Sequence, residues 1–488
     1  MLKRILCLIS AILLLVGLIC SCSGDATQSE ENAAGTTTAD PNETAAETSL
    51  IDMLPADLDF GGHEIHIAAL EALEKEYGAF LLPEEENGEL LNDTAFRRNR
   101  EVEERYNVKL TLVPLGTGDG YSIVPMVLSS VMSGSDDYQY VHFGSAWDNP
   151  VSLIQSGALM NLLEIPDFNI SSPGFYNEFN SELEINGKLY FAFSQYGNAG
   201  NLPIYMGFNK DMIADYGLDL PYEKIFSGTW TWDVFIGYTK NIYADLDGNG
   251  KRDKTDRYGF SNGDMLSNYM IWGFDVHIVK RSDVGVHVPD ILNDKFVNAS
   301  QKFIDFKMNN EDAYIPKNGD VEIEDIHMFN QGNVMFSHTG SALNIRTVDD
   351  FDVGIAPLPK YDENQQKYCN YTAFNQFGIP ITVQSPEIVG AVAEGLAVGS
   401  KVEMAPAYID IYVQEKLLRD EESKQVAQLL MEEAIIDVTR YYDFAGGSMT
   451  PVYLLSKVKD SGSVVSEFTK VQGKAVKQAQ EFFAVFTD

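Results

Sequence analysis

Residues 97–113, Arg97-Arg98-Asn99-Arg100-Glu101-Val102-Glu103-Glu104-Arg105-Tyr106-Asn107-Val108-Lys109-Leu110-Thr111-Leu112-Val113, change hydrophobic period half-way and so decide the fold class. Up to Tyr106 the period is helical. Leu91, Ala95, Val102 and Tyr106 recur at intervals of four and seven, one stripe of a helix. The other faces carry Arg97/Glu101, Arg100/Glu104 and Glu101/Arg105 at i,i+4 spacing, which favours ion pairs. After Asn107 the period drops to two, the mark of a strand. Upstream, Gly61-Gly62-His63-Glu64-Ile65-His66-Ile67-Ala68-Ala69 reads as a second strand with Ile65 and Ile67 on one face. Strand, helix and strand in that order form a βαβ unit, in which the helix lets two strands run parallel.

Working downstream, 122–132 reads as a helix and 138–143 as a strand, so the N-terminal third is α/β with a parallel sheet. Further on, 204–209, 257–261, 334–337 and 377–383 (despite Pro380) are strand-like. Residues 291–308, 386–400 and 421–441 are helical in pattern. No internal repeat is present.

Working upstream, Lys3 and Arg4 precede an apolar run over 5–19 that is broken only by Ser10 and Gly17. A membrane span needs roughly 20 apolar residues, so this run has the size of a secretory signal. Ile19-Cys20-Ser21-Cys22-Ser23-Gly24 follows and resembles a bacterial lipobox with Cys22 as the acceptor. The resemblance implies a signal peptide over 1–21 and a diacylated, palmitate-type Cys22 as the first mature residue. Two acyl chains suffice for stable anchoring. An ordinary cleaved signal or an uncleaved anchor helix is the bland alternative. Residues 22–56 are rich in Ser, Thr, Ala, Asn, Glu and Gly without periodicity, a flexible tether. Of four cysteines, Cys7 and Cys20 would leave with the signal and Cys22 would carry lipid. Only Cys369 remains, so neither an intrachain disulfide nor a CxxC metal framework is expected.

Composition sets the outer bounds. With 488 residues, 45% of them hydrophobic, the chain can bury a large core. Asp and Glu number 72 against 35 Lys and Arg, a formal net charge of −37. That excludes nucleic acid as a partner and argues against docking on anionic lipid, since both need clustered cations.

Several phrases, in order, resemble the family 1 extracellular solute-binding proteins, the lipid-anchored receptors of ATP-binding-cassette (ABC) importers. They are the 97–108 segment, Gly157-Ala158-Leu159-Met160-Asn161-Leu162, Gly187-Lys188-Leu189-Tyr190, Phe208-Asn209-Lys210 and Gly228-Thr229-Trp230-Thr231-Trp232-Asp233. Phe329-Asn330-Gln331-Gly332-Asn333-Val334-Met335-Phe336 and Val353-Gly354-Ile355-Ala356-Pro357-Leu358-Pro359-Lys360 complete the series. The resemblance implies a two-lobed, periplasmic-binding-protein-like (type II) α/β fold. Lobe one would take 57–195 and 375–445, and lobe two 196–374 and 446–488. Hinge crossings would lie near 193–202, 370–377 and 444–451, where Gly197, Gly200, Gly446 and Gly447 suit bending. It also implies a monomer on the extracytoplasmic face of the cell membrane that holds a small solute, a carbohydrate or oligosaccharide, for permease transmembrane subunits. No catalysis is implied. The rivals are a surface glycan-active enzyme and a glycan-binding module without a transport role.

One local motif is sharp. Asp245-Leu246-Asp247-Gly248-Asn249-Gly250-Lys251-Arg252-Asp253-Lys254-Thr255-Asp256 matches an EF-hand-type loop at positions 1, 3, 5 and 6. Alternate residues of a tight loop can offer six or seven oxygens to a hard cation. Asp245, Asp247 and Asn249 would bind directly, Lys251 through its carbonyl, Asp253 through water and Asp256 as the closing carboxylate. Structural Ca2+ is expected; an acidic turn that binds nothing is the alternative.

Motifs for catalysis are missing: the sequence has no GxxxxGK[ST], GxSxG or HExxH. Candidate ligand contacts sit at strand ends and crossings, where α/β clefts bind. They are Glu71, Trp147, Gln195, Tyr196, Trp272, His338, Ser341 and Asn375, with Asn344 and Gln376 beside them. Trp147 and Trp272 are the expected stacking platforms for a sugar ring, while Trp230 and Trp232 read as packing.

Overall fold

The computed structural model describes residues 54–55, 58–71, 80–116, 122–144, 148, 150–261, 269–315, 327–339, 350–414, 420–445, 450–458 and 463–486. The expected signal, Cys22 and nearly all of the tether lie outside them. In chain order the strands are β1 (His63–Leu70), β2 (Val108–Leu115), β3 (Tyr140–Phe143), β4 (Tyr205–Asn209), β5 (Tyr258–Ser261), β6 (Val279–Arg281), β7 (His287–Pro289), β8 (Ala313–Tyr314), β9 (Val334–Thr339), β10 (Val353–Ala356), β11 (Asn370–Tyr371), β12 (Gln376–Gly378) and β13 (Ala434–Ile435). The helices that matter below are α1 (Leu90–Tyr106), α2 (Val124–Met132), α3 (Asn177–Leu183), α4 (Met270–Gly273), α5 (Asp294–Asn309), α6 (Pro386–Gly399), α7 (Glu421–Glu432), α8 (Val438–Tyr442) and α9 (Val464–Phe483).

The βαβ unit stands as the sequence implies. β1 and β2 pair in parallel from His63–Val108 to Leu70–Leu115, with α1 as their crossover. Leu91, Ala95, Val102 and Tyr106 are buried along one face of α1. The helix stops where Asn107 turns left-handed (φ 47°) and its N–H reaches the Glu103 carbonyl. The ion pairs differ from expectation. Arg97 pairs with Glu86 at 2.8 Å and Arg100 with Glu103 at 2.6 Å, because partners off the helix and one residue closer are within reach.

Two sheets carry the fold. The first runs β12-β3-β1-β2 and the second β10-β4-β9-β5-β8. β4 is antiparallel to both β9 and β10, while β5 runs parallel to β9 and to β8. One continuous apolar core extends from Ile65 and Val141 of the first sheet to Phe208 and Phe336 of the second.

Two expected elements are shorter than their patterns. The 377–383 strand keeps only β12, since Pro380 cannot donate a ladder bond. Residues 421–441 split into α7, β13 and α8. β13 leaves the helix to pair with β11, and the Asp437 carboxylate caps α8 through the Thr439 N–H. α7 packs on β10 of the second sheet. Lys210 and Asp420 pair there at 2.5 Å, and Tyr222 bonds Ser423 at 2.9 Å. α9 packs on β7 and α5, where Gln472 bonds Ile291 N and Pro289 O.

Candidate functional site

Parallel strands aim their carboxyl ends at ligands in α/β folds. Here those ends are Leu70 and Phe143 in the first sheet and Ser261 and Thr339 in the second. Among the described residues three passages of chain are hydrogen-bonded together. Residues 193–204 and 370–376 run side by side, joined by Ile204 N to Tyr371 O at 2.8 Å. Asn198 and Asn375 lace them: the Asn198 amide donates to Asn375 O (2.9 Å) and accepts from Asn375 N (2.8 Å). The Asn375 amide donates to Gly197 O at 3.0 Å. The third passage follows β13. Thr372 N bonds Ile435 O at 2.9 Å, and Phe374 N bonds the Tyr441 hydroxyl at 2.8 Å. Gly197 is required here: its φ is +76°, and a Cβ would stand 2.5 Å from the His142 ring.

Beside these passages lies an aromatic stack. Trp272 lies 4.0 Å from Tyr371 and 4.8 Å from Tyr269, all nearly parallel. Its indole N–H donates to the Asp437 carboxylate at 3.1 Å, and the Arg440 guanidinium stands 5.6 Å from the Tyr371 ring centre. Burial raises the Asp437 pKa, although Thr439, Arg440 and Trp272 each pull it down. Tyr269 is half-buried and forms the outer member of the stack.

Neither the family models nor the curated proteins compared contain a match to this chain. Solved structures do match. A cyclo/maltodextrin-binding protein complexed with maltotetraose superposes with a TM-score of 0.55 at 14% identity, over 87% of this chain and 97% of that one. UgpB from Mycobacterium tuberculosis, in complex with glycerophosphocholine, gives 0.53 at 14%, over 87% and 98%. An ABC transporter solute-binding protein from Thermotoga lettingae TMO bound with α-D-tagatose gives 0.51 at 14%, over 86% and 100%. The chain has the solute-binding-protein fold.

Within the solute-binding-protein fold the expected contact residues separate. Glu71 follows β1 and Gln195 opens the first passage, both half-buried. Asn375 laces two passages, as above. His338 lies on β9 in register with Met206. Trp147, Ser341 and Asn344 lie outside the described residues. Tyr196 is a correction. It is fully buried, its ring under Arg98 at 4.8 Å and its hydroxyl on Leu81 O at 3.0 Å, so it serves packing. Trp272 is corrected too: at 2% exposure its ring is covered by Tyr371 and Tyr269 and offers no open platform. Tyr269, Asp437 and Arg440 were not singled out from the sequence. Tyr269 had a signal, because it stands three residues before Trp272 and so shares its helix face. The other two reach the stack only through the third passage. Trp230 and Trp232 are buried, Trp230 bonding Pro357 O at 3.0 Å.

The acidic loop folds back on itself ahead of β5. Carboxylate oxygens of Asp245, Asp247 and Asp256 lie within 4.8 Å of one another, with Asp256 buried and the others exposed. Asp245 accepts Gly248 N at 2.7 Å and Gly250 N at 2.8 Å, and both glycines have φ near +70°. The bond from Gly250 N is the main reason its carboxyl sits below the ordinary range. Asn249 bonds Asp247 and Asp253, Lys251 N bonds the Asn249 side chain, and Tyr243 bonds Asp256. Outside the loop, the Asp312 carboxylate accepts the N–H groups of Asn241, Ile242 and Tyr243 at 2.9–3.0 Å.

Proposed function

We propose that this chain is an extracytoplasmic solute-binding protein that captures a carbohydrate between its two sheet-bearing halves and presents it to an ABC permease. The observation that carries the reading is the pair of sheets joined by three laced passages, with an aromatic stack beside them. Flat rings suit the apolar face of a sugar, and the carboxylate and guanidinium behind them hold the rings in place. Tyr269 is the stacking surface in this reading. Glu71, Gln195 and Asn375 supply polar contacts in this reading. The relatives in fold hold maltotetraose, tagatose and glycerophosphocholine, so fold alone leaves the solute open.

Thermal-shift and calorimetric titration with maltotetraose, α-D-tagatose and glycerophosphocholine test the reading. A carbohydrate hit that Tyr269→Ala weakens supports it, and recovery of the sugar uncleaved separates a receptor from a glycan-active enzyme. Exclusive binding of glycerophosphocholine would replace the carbohydrate assignment.

The chain acts as a monomer held at the membrane by acyl chains on Cys22. Among the described residues no helix is long and apolar enough to cross a membrane. The acidic loop is proposed to hold structural Ca2+. The donors fit a hard cation: three clustered carboxylates, the Asn249 amide oxygen, the Lys251 carbonyl and Asp253. The ion would supply rigidity to the turn into β5. Isothermal titration of chelated protein with calcium chloride reads this directly; no heat at millimolar calcium would remove the assignment.

A further inference from the structure

Helix α3 ends in an unusual cap. The last carbonyls of a helix have no partner inside it and must find one elsewhere. Here the four consecutive carbonyls of Ser181, Glu182, Leu183 and Glu184 are all taken by side chains far along the chain. Arg281 donates to Ser181 O at 2.8 Å and Glu184 O at 2.9 Å. His287 bonds Glu182 O at 3.1 Å through Nε2, which must carry the proton because a carbonyl only accepts. The Tyr442 hydroxyl donates to Leu183 O. Arg281 and His287 flank the turn of the β6–β7 hairpin, and Tyr442 ends α8.

The hairpin tip also presses on the same turn. Asn186 N donates to Val284 O at 2.7 Å. Gly285 has φ +84°, and a Cβ on it would stand 2.3 Å from Glu184 O, so only glycine permits the approach. The C-terminal end closes the contact, with the Asn186 amide on Phe486 O at 2.8 Å and Tyr190 5.4 Å from Phe486.

These partners come from both halves. α3 lies between β3 and β4, before the chain first leaves the first sheet. The hairpin is a two-stranded sheet of its own that leads into α5, whose Phe306 packs on Phe260 of β5 in the second sheet. Tyr442 lies on the third passage. An arginine at a helix C-terminus also meets the negative end of the helix dipole, which favours this placement. We propose that the β6–β7 hairpin is a brace between the two sheet-bearing halves: by capping α3 it sets their separation and restrains bending at the three passages. The inference rests on the fold and holds whatever solute is bound.

Amide hydrogen exchange on the full chain tests it without any ligand. Arg281→Gln combined with His287→Gln should speed exchange at 181–186 and also at Ile204, Thr372 and Asn375, whose N–H groups link the passages. Core amides of β1 at Ile65 and Ile67 should keep their wild-type rates. Arg281→Lys, which keeps the cation at the helix end, should restore part of the protection. Faster exchange confined to 181–186 and the hairpin would overturn the proposal, because the cap would then be local. A rise everywhere, β1 included, would equally overturn it as a general loss of stability. If the double variant does not fold, Arg281→Gln read against Arg281→Lys carries the same comparison.

Discussion

His142 stands on β3 with 1% exposure and no hydrogen-bond partner for either ring nitrogen among the described residues. Tyr140, Tyr196 and Gly197 pack against it. Burial pulls its pKa down to about 3 from the ordinary 6.5. The unfolded chain therefore takes up this proton first. The stability is intact above pH 6.5 and drains as pH falls toward 3, costing about 2 kcal/mol by pH 5. Urea unfolding at pH 7.5 and pH 5 should show His142→Phe losing about 2 kcal/mol less than wild type over that interval. Equal losses would show that the site does not titrate in this way. Asp312 offers a second test. Its carboxylate holds three consecutive N–H groups, and charge-assisted bonds contribute strongly, so Asp312→Ala should cost about 3 kcal/mol. An unchanged denaturation midpoint would contradict this. His142 was invisible as a special residue in the sequence, since a lone histidine in a strand says nothing about what covers it.

Among the elements, α1 was readable because its stripe repeats over many residues and its end is marked by Asn107, whose short polar side chain tolerates the left-handed turn. The 421–441 stretch misled because local periodicity favoured one helix, while pairing with β11 pulled Ala434 and Ile435 into a strand. Tertiary pairing outweighed a helix propensity worth only tenths of a kcal/mol per residue. The expectation for the acidic loop could be framed residue by residue because its members are consecutive, and Asp245, Asp247 and Asp256 do cluster. If it binds Ca2+, the ion at one hundred times its Kd should stabilise the protein by about 2.7 kcal/mol, and Asp247→Asn should weaken the effect. Calorimetry with calcium chloride and with chelator reads the difference; identical melting curves would count against the loop as a cation site.

Across the whole molecule, two predictions concern placement. If Cys22 carries the proposed acyl chains, Cys22→Ser should release the protein from membranes into the soluble fraction, as seen by fractionation of expressing cells. Persistent membrane association would assign the anchoring to another segment. The best carbohydrate from the thermal-shift screen should lose at least tenfold in affinity, about 1.4 kcal/mol, in Tyr269→Ala. Unchanged affinity would move the site away from the stack. The α/β class, the order of strands and helices in the N-terminal third and the acidic loop came from the sequence alone, because each depends on residues close together in the chain. Tertiary structure alone decided that Tyr196 and Trp272 are covered, that α7 packs on β10, and that Arg281, His287 and Tyr442 cap one helix. Those outcomes depend on packing between segments far apart in the chain, and no local pattern records which distant side chain will fill a given gap.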